Sequence, residues 1–516
     1  MRPKKKTDEN KSKTIIITGE HLTIEDIVKV ARYRYKVQLS EIAKERISSC
    51  RKVVDKIVKD SELVYGITTG FGSLSNVVIS EENTEALQEN LVMSHAVGLG
   101  RPLAEDIVRA IMLLRINTFA KGFSGIRLST VDTLVNMLNK NIHPVVPEQG
   151  SVGSSGDLAP LSHIILVMIG KGEAFINNKK VSGAAAMKKA NISPIKLGAK
   201  EGLALNNGTP VMTAIAALAV HDSENLLRHS ILSSALSLEA IKANSSFLFE
   251  KVHLARPHTG QMIIARELRD ILHNSKLIDS EKAKVQDAYS TRATPVVIGA
   301  SLDVIRYVKE KVTIEINSAT DNPLIFDGKT YSAANFHGQP IALAVDFLSI
   351  ALSEIGNISE RRIARILDPK LNEGLPAFLV NNSGLNSGFM IPQYTAAALV
   401  SENKVLSHPA SVDSIPTCAN QEDHVSMGTN GARKAKKILE NTTKIISIEL
   451  MTAAQAVEMR KPVPSTASQK IIEFLRKHVK HLEKDRVLYP DINCIERLIE
   501  KREILNQTKT EINLDL

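Results

Sequence analysis

The stretch Gly150-Ser151-Val152-Gly153-Ser154-Ser155-Gly156-Asp157-Leu158-Ala159-Pro160-Leu161-Ser162-His163 holds a tripeptide, Ser154-Ser155-Gly156, that can turn its own backbone into an electrophile. The amide nitrogen of Gly156 can attack the carbonyl carbon of Ser154 and close a five-membered imidazolone, and glycine suits this because it has no Cβ. Loss of water from the Ser155 side chain then leaves an exocyclic methylidene. The twenty side chains supply nucleophiles, acids and bases but no comparable electron sink, which enzymes otherwise take from a cofactor. Without its flanks the tripeptide reads as an ordinary Gly/Ser loop. Glycines at 150, 153 and 156 match neither a P-loop nor Gly-x-Gly-x-x-Gly.

Composition bounds the rest. The chain has 516 residues, of which 43% are hydrophobic and only 4% aromatic, with no Trp. It can bury a large core, and plentiful Ala, Leu, Ile, Glu and Lys favour helix over sheet. Cys50, Cys418 and Cys494 are widely scattered, with no pair spaced for zinc, so no metal is expected and a reducing cytoplasm is the natural compartment. The net charge of +9 is partly local, since the first thirteen residues hold six Lys/Arg against two acids, and no nucleic-acid motif accompanies it. Lys4-Lys5-Lys6 is followed by no apolar signal segment, and the strongest hydrophobic stretch, 341–352, is interrupted by Asp346 and too short to span a bilayer. Neither nucleic acid nor membrane is an expected partner.

Periodicity gives a mainly α fold, an elongated helical bundle with a smaller mixed N-terminal region. Residues 13–18 read as a strand, Thr23 as the cap of a helix through Tyr33, and Ser40 as the start of another with Ile42, Ala43, Ile47, Cys50, Val54 and Ile57 on one face. Residues 65–75 are loop; 84–94 and 103–120 are helical; 144–157 is loop, followed by an apolar helix from Ala159. A few strands are expected within 172–199. From Thr209 to Met459 long helices dominate. Two of them, 387–404 and 429–459, open on Ser/Thr caps, the first with a kink at Pro392. The expected divisions are 1–19 (basic tail and first strand), 20–208, 209–461, and a charged helical segment, 462–516, with a frayed end.

The run 150–163 closely resembles the signature of the histidine and phenylalanine/tyrosine ammonia-lyases. In that family an Ala-Ser-Gly tripeptide becomes the prosthetic group methylidene-imidazolone (MIO). Ser154 stands where Ala is usual, but its side chain hangs off the ring carbon and takes no part in closure. The resemblance extends from about residue 20 to about residue 490. It implies MIO formed from Ser154, Ser155 and Gly156, no external cofactor, and a homotetramer whose sites combine loops from several subunits.

Other motifs match the same family. In Tyr65-Gly66-Ile67-Thr68-Thr69-Gly70-Phe71-Gly72, taken alone a core-capping loop, the resemblance makes Tyr65 the catalytic base. Thr68 is a departure toward the phenylalanine/tyrosine branch. In Leu91-Val92-Met93-Ser94-His95-Ala96-Val97-Gly98, His95 corresponds to a residue contacting the substrate imidazole. Asn207, in Glu201-Gly202-Leu203-Ala204-Leu205-Asn206-Asn207-Gly208-Thr209, is implied to lie beside the prosthetic group, with Asn206 structural. Gln286, Tyr289 and Arg292 recur every third residue, so a helical turn would place them on one face. Arg292 corresponds to the family's carboxylate-binding arginine, a chemistry its planar guanidinium suits. Tyr289 matches a second active-site tyrosine, and Gln286 a polar neighbour. Phe336, in Asn335-Phe336-His337-Gly338, matches a residue lining the substrate site, with no catalytic role for His337; the Asp321-Asn322-Pro323 turn is structural.

Glu422, in Asn420-Gln421-Glu422-Asp423-His424, resembles the histidine branch in particular. A carboxylate can hold an imidazole N–H and gains nothing from a benzene ring. The resemblance therefore implies deamination of L-histidine to trans-urocanate. The alternatives are a tyrosine/phenylalanine ammonia-lyase or 2,3-aminomutase and, in a different class, a non-catalytic helical assembly protein.

Overall fold

A computed structural model describes residues 13–281 and 284–508. Most of the basic tail and the last eight residues lie outside them. The described residues are mainly helical, with a few short strands. Contacts divide the chain into two compact units, each built from three stretches: Met1–Leu218, Glu310–Val345 and Pro409–Arg433 form the first, and Ala219–Lys309, Asp346–His408 and Lys434–Leu516 the second.

The first unit opens on a parallel strand pair, Thr14–Ile17 with Lys36–Leu39, joined through helix Ile24–Ala31. Thr23 caps that helix as expected, through a reciprocal capping box with Asp26. Ser40 caps helix Glu41–Lys59, whose buried face carries Ala43, Ile47, Cys50, Val54 and Ile57. Ile42 is a correction: it is 62% exposed. It lies about 100° around the helix from Ala43, off the stripe that steps by three and four. Helix Glu105–Ala120 is buried continuously from Ile107 onward. The stretch read as loop between 144 and 157 contains two short strands. His143–Pro144 extends an antiparallel sheet with Glu173–Ile176 and Lys179–Ser182, and Pro147–Gln149 pairs with Leu99–Pro102. Proline at a strand start or edge escapes detection because it donates nothing to the ladder. The strands expected across 172–199 stop at Ser182, and helix Gly183–Lys189 follows.

The second unit contains helices Met390–Leu406, Thr466–Arg476, Tyr489–Glu500 and Glu503–Thr508, and large parts of the longer helices Pro210–Ala240, Thr294–Glu315, Gln339–Leu367 and Gly428–Glu458. Helix Met390–Leu406 departs from expectation twice. Its N-cap is Phe389, without a side-chain bond, and Pro392 falls in its first turn, where no backbone bond is lost and no kink follows. Gln339–Leu367 is long and apolar enough to cross a membrane by length and composition, but 72% of its apolar window is buried. In this unit the buried Glu449 carboxylate accepts bonds from Arg362, Ser233, Ser237 and Ser359, so a charge that would be costly alone is fully partnered.

Two buried histidines give the fold a pH dependence. Burial pushes His143 down to about 4, with Arg109 and Arg34 adding to the effect, and burial pushes His229 down to about 4 as well. Both rings are neutral in the native state and titrate near 6.5 when unfolded. The stability they preserve is complete above pH 6.5 and is lost as pH falls from there to about 4, on the order of 2–3 kcal/mol per ring. The unfolding midpoint should therefore drop across that window, and His143→Gln with His229→Gln should flatten it. A flat wild-type profile would contradict the assignment.

Candidate active site

The Ser154-Ser155-Gly156 tripeptide lies between strand Pro147–Gln149 and helix Leu158–Met168 in the first unit. Gly156 has a φ of +76°, and a Cβ built on it would lie 1.8 Å from the carbonyl oxygen of Gly208. Only glycine fits. The Gly208 N–H donates to the Ser155 carbonyl at 3.1 Å, and its own carbonyl accepts from the Asp157 N–H at 2.7 Å. Gly208 is pressed in turn against Thr320, whose carbonyl oxygen would stand 2.1 Å from an added Cβ. The backbone of the tripeptide is thus held against a second backbone with no intervening side chain. Such a cradle suits a loop whose reactive atoms belong to the main chain.

Asp157 anchors the loop. Its fully buried carboxylate accepts from the Val211 and Met212 N–H groups at 2.9 and 3.0 Å, from Ser151 at 2.9 Å, and from the Thr429 hydroxyl. Burial pushes this carboxyl up, against the pull of its donors at the start of helix Pro210–Ala240. Thr429, read in the sequence as a helix cap, serves Asp157 instead.

Two cavities meet at the tripeptide, sharing Tyr65, Gly72, Ser155, Asn207 and Glu422. One, of about 460 Å³, is walled by Leu74, Val77, Ile79, Leu87 and Leu91 and includes His95. The other, of about 650 Å³, is more polar and includes Phe336, His337, Asp423 and His424. The structure therefore brings together Ser154, Ser155, Gly156, Tyr65, His95, Asn207, Phe336 and Glu422. A cavity of about 780 Å³ in the second unit, against Leu248, Phe249 and Arg269, contains none of the residues singled out by sequence.

Within this space Glu422 is bound to the tripeptide itself. Its Oε1 accepts from the Ser155 hydroxyl and its Oε2 from the Ser154 hydroxyl, both at 2.9 Å. Thr417 donates to Oε2 as well, at 2.7 Å, and pairs its backbone with that of Glu422. The Tyr65 hydroxyl accepts from the Gly72 N–H at 3.1 Å. Burial nevertheless pushes the phenol up, because that one N–H is outweighed by desolvation and the nearby Glu422 and Cys418. Burial pushes His95 down, and its Nδ1 lies 3.0 Å from the Ser94 hydroxyl. Asn207 is 4% exposed and its Oδ1 has no hydrogen-bond partner among the described residues. Neighbouring Asn206 bonds to Ser162 at 2.5 Å, a structural role. His337 lines the polar cavity and stacks on His424, ring centroids 5.3 Å apart.

Gln286, Tyr289 and Arg292 belong to the second unit. The expected common helical face is corrected: helix Tyr289–Arg292 is a single turn, and Gln286 precedes it in exposed irregular backbone. Tyr289 is 74% exposed, and the Arg292 guanidinium lies 4.7 Å from its ring centre. The Arg292 Nε is buried and makes no hydrogen bond among the described residues.

The family model for aromatic amino acid lyases matches residues 22–477. The chain belongs to the aromatic amino acid lyase family. Its similarity to curated relatives is high: it is 55% identical over 503 residues to a histidine ammonia-lyase of Caldanaerobacter subterraneus subsp. tengcongensis, covering 97% of this chain and 99% of that protein. Among solved structures, histidine ammonia-lyase from Trypanosoma cruzi superposes with a TM-score of 0.90 at 43% identity, over 97% of this chain and 96% of that one. Tyrosine aminomutase from Streptomyces globisporus gives 0.92 at 37% identity, over 97% and 99%.

Thr68 serves its own turn in this structure. It accepts from the Val64 N–H at 2.9 Å and donates to the Glu62 carbonyl at 2.7 Å, closing its own turn, and lines neither of the two cavities. Thr417, Cys418 and the apolar wall from Leu74 to Ile79 were missed by sequence reasoning. Cys418 lines the smaller cavity, and its sulfur accepts from the Ser73 N–H at 3.4 Å. The one signal for this group was its closeness to Tyr65 and Glu422 along the chain.

Proposed function

We propose that this chain is a histidine ammonia-lyase, converting L-histidine to trans-urocanate and ammonia. The observation that carries this reading is that Glu422, His95 and Ser155 line the same cavity. A carboxylate and an imidazole there give an incoming imidazole ring both an acceptor and a partner of its own kind. The similarity to histidine ammonia-lyases at up to 55% identity supports it.

The residues present fit MIO. Gly156 packs against Gly208 with no room for a side chain, and the Ser155 hydroxyl faces a cavity into which water can leave. Formation is balanced within the chain. The Gly156 nitrogen would bond to the Ser154 carbonyl carbon, and that oxygen would depart as water with the amide hydrogens of Gly156 and Ser155 as the C=N bond forms; Ser155 would then lose its hydroxyl and Cα hydrogen as a second water. Once formed, the group would supply an electron-poor carbon beside Ser154, Asn207 and Glu422, the chemistry that makes an amine a better leaving group.

The chain's own side chains do the rest. Tyr65 takes the Cβ proton, the C–H electron pair becomes the new double bond, and the Cα–N pair leaves with ammonia. Burial keeps Tyr65 protonated in the free site, so its function as a base depends on positive charge arriving with the substrate or from other loops. Glu422 and His95 bind the imidazole; Asn207 offers its free Oδ1 to the reacting amine; Phe336 packs against the substrate. Arg292 binds the α-carboxylate, its Nε being an unused donor, with Tyr289 and Gln286 beside it. Exposure of Tyr289 and Gln286 supports their service in a site shared between subunits of a homotetramer. Three free cysteines support a cytoplasmic location.

The test is product analysis. Histidine should yield a urocanate absorbance, whereas tyrosine and phenylalanine should yield neither a cinnamate nor a β-amino acid. The reverse selectivity, or a β-amino acid product, would replace this reading with an aromatic lyase or an aminomutase.

A further inference from the structure

Ser154 stands where the ammonia-lyases usually carry Ala, and its hydroxyl is engaged. Only 4% exposed, it donates to Glu422 Oε2 at 2.9 Å, the same oxygen that Thr417 holds at 2.7 Å. The other oxygen, Oε1, accepts from Ser155. These two serines differ in what becomes of them. The Ser155 oxygen is the one that dehydration removes, whereas the Ser154 hydroxyl hangs off the ring carbon and survives.

We infer that Ser154 is a positioning residue for specificity: it fixes the Glu422 carboxylate through Oε2, so that Oε1, freed when the Ser155 hydroxyl leaves, faces the substrate's imidazole N–H. This rests on the histidine reading above. Two donors on one oxygen fix the rotation of a carboxylate on a half-buried side chain. Ordering that carboxylate beforehand removes part of the entropy cost of binding the ring. A chain with Ala at this position would hold Glu422 through Thr417 alone. Ring closure does not involve the side chain, so the effect belongs to recognition and not to maturation.

The experiment compares full-length wild type, Ser154→Ala, Ser154→Thr and Thr417→Val. Intact mass reads maturation, and calorimetry reads equilibrium binding of urocanate and of cinnamate, which lacks a ring N–H. Ser154→Ala should still lose two waters, bind urocanate about tenfold more weakly because the Glu422 carboxylate must then be ordered as the ring binds, and bind cinnamate as wild type does. Its KM for histidine should rise with kcat nearly unchanged, and Ser154→Thr should restore both urocanate affinity and KM. Combined with Thr417→Val, the loss should depart from additivity, since both residues act on one oxygen. Wild-type urocanate affinity in Ser154→Ala, an equal loss for both ligands, or failure to lose two waters would each overturn the inference. A wild type that does not prefer urocanate to cinnamate would instead overturn the histidine reading, and the inference with it.

Discussion

Ser155→Ala is expected to fold normally and to lose nearly all activity, about a thousandfold or more in kcat. Among the described residues the Ser155 hydroxyl bonds to Glu422 Oε1, in a half-buried position. Its removal should cost about 1 kcal/mol of stability or less. The chemical loss is far larger, because an alanine at this position has no hydroxyl to eliminate and the methylidene cannot form. The ring itself can still close, since closure uses only the Gly156 nitrogen and the Ser154 carbonyl. The variant should therefore release one water and not two, with a circular dichroism spectrum like the wild type. A Ser155→Ala protein that deaminates histidine at a rate near wild type would remove the electrophile from the account.

Glu422→Gln tests recognition separately from chemistry. The substitution keeps size and shape but removes the charge, and it turns one acceptor into a donor facing hydroxyls that already donate. Histidine turnover should fall by about 10- to 100-fold, the value of a hydrogen bond between a charged carboxylate and a ring N–H. The deficit of two waters relative to the variant's own sequence should be unchanged, because neither bond of the ring nor either departing water comes from Glu422. Since Glu422 Oε1 lies 2.9 Å from the Ser155 hydroxyl, the mass measurement is essential. Unchanged histidine turnover would show that Glu422 holds the loop and not the imidazole.

Much of the fold was legible because its signals are local. A capping box at Thr23 and Asp26, and apolar residues stepping by three and four from Ala43 to Ile57, specify their helices without tertiary help. The signals that failed are those that tertiary partners override. Ser387, read as a cap, donates its backbone N–H to Asp485 instead, and Thr429 turns its hydroxyl to Asp157. Gln286 shares a spacing of three with Tyr289 and Arg292, but only one turn of helix forms there.

The candidate site divides in the same way. The tripeptide, Tyr65, His95, Asn207 and Glu422 were visible as motifs, and the structure gathers them around two joined cavities. What no motif could give is who touches whom. The Ser154 and Ser155 hydroxyls reach Glu422 more than 260 residues away along the chain. Gly208 seals Gly156 through a backbone contact that depends on two separate loops meeting. Thr417 gains its role only because Glu422 folds back on it.

The mass of the intact wild-type protein tests the central claim most directly. If Ser154-Ser155-Gly156 cyclises and dehydrates, an active, folded preparation should weigh less than its sequence by two waters. Proteolytic mapping should place the whole deficit in the peptide containing Gly150 to His163. Finding the full sequence mass in a preparation that releases ammonia from histidine would contradict the account and leave the tripeptide an ordinary loop.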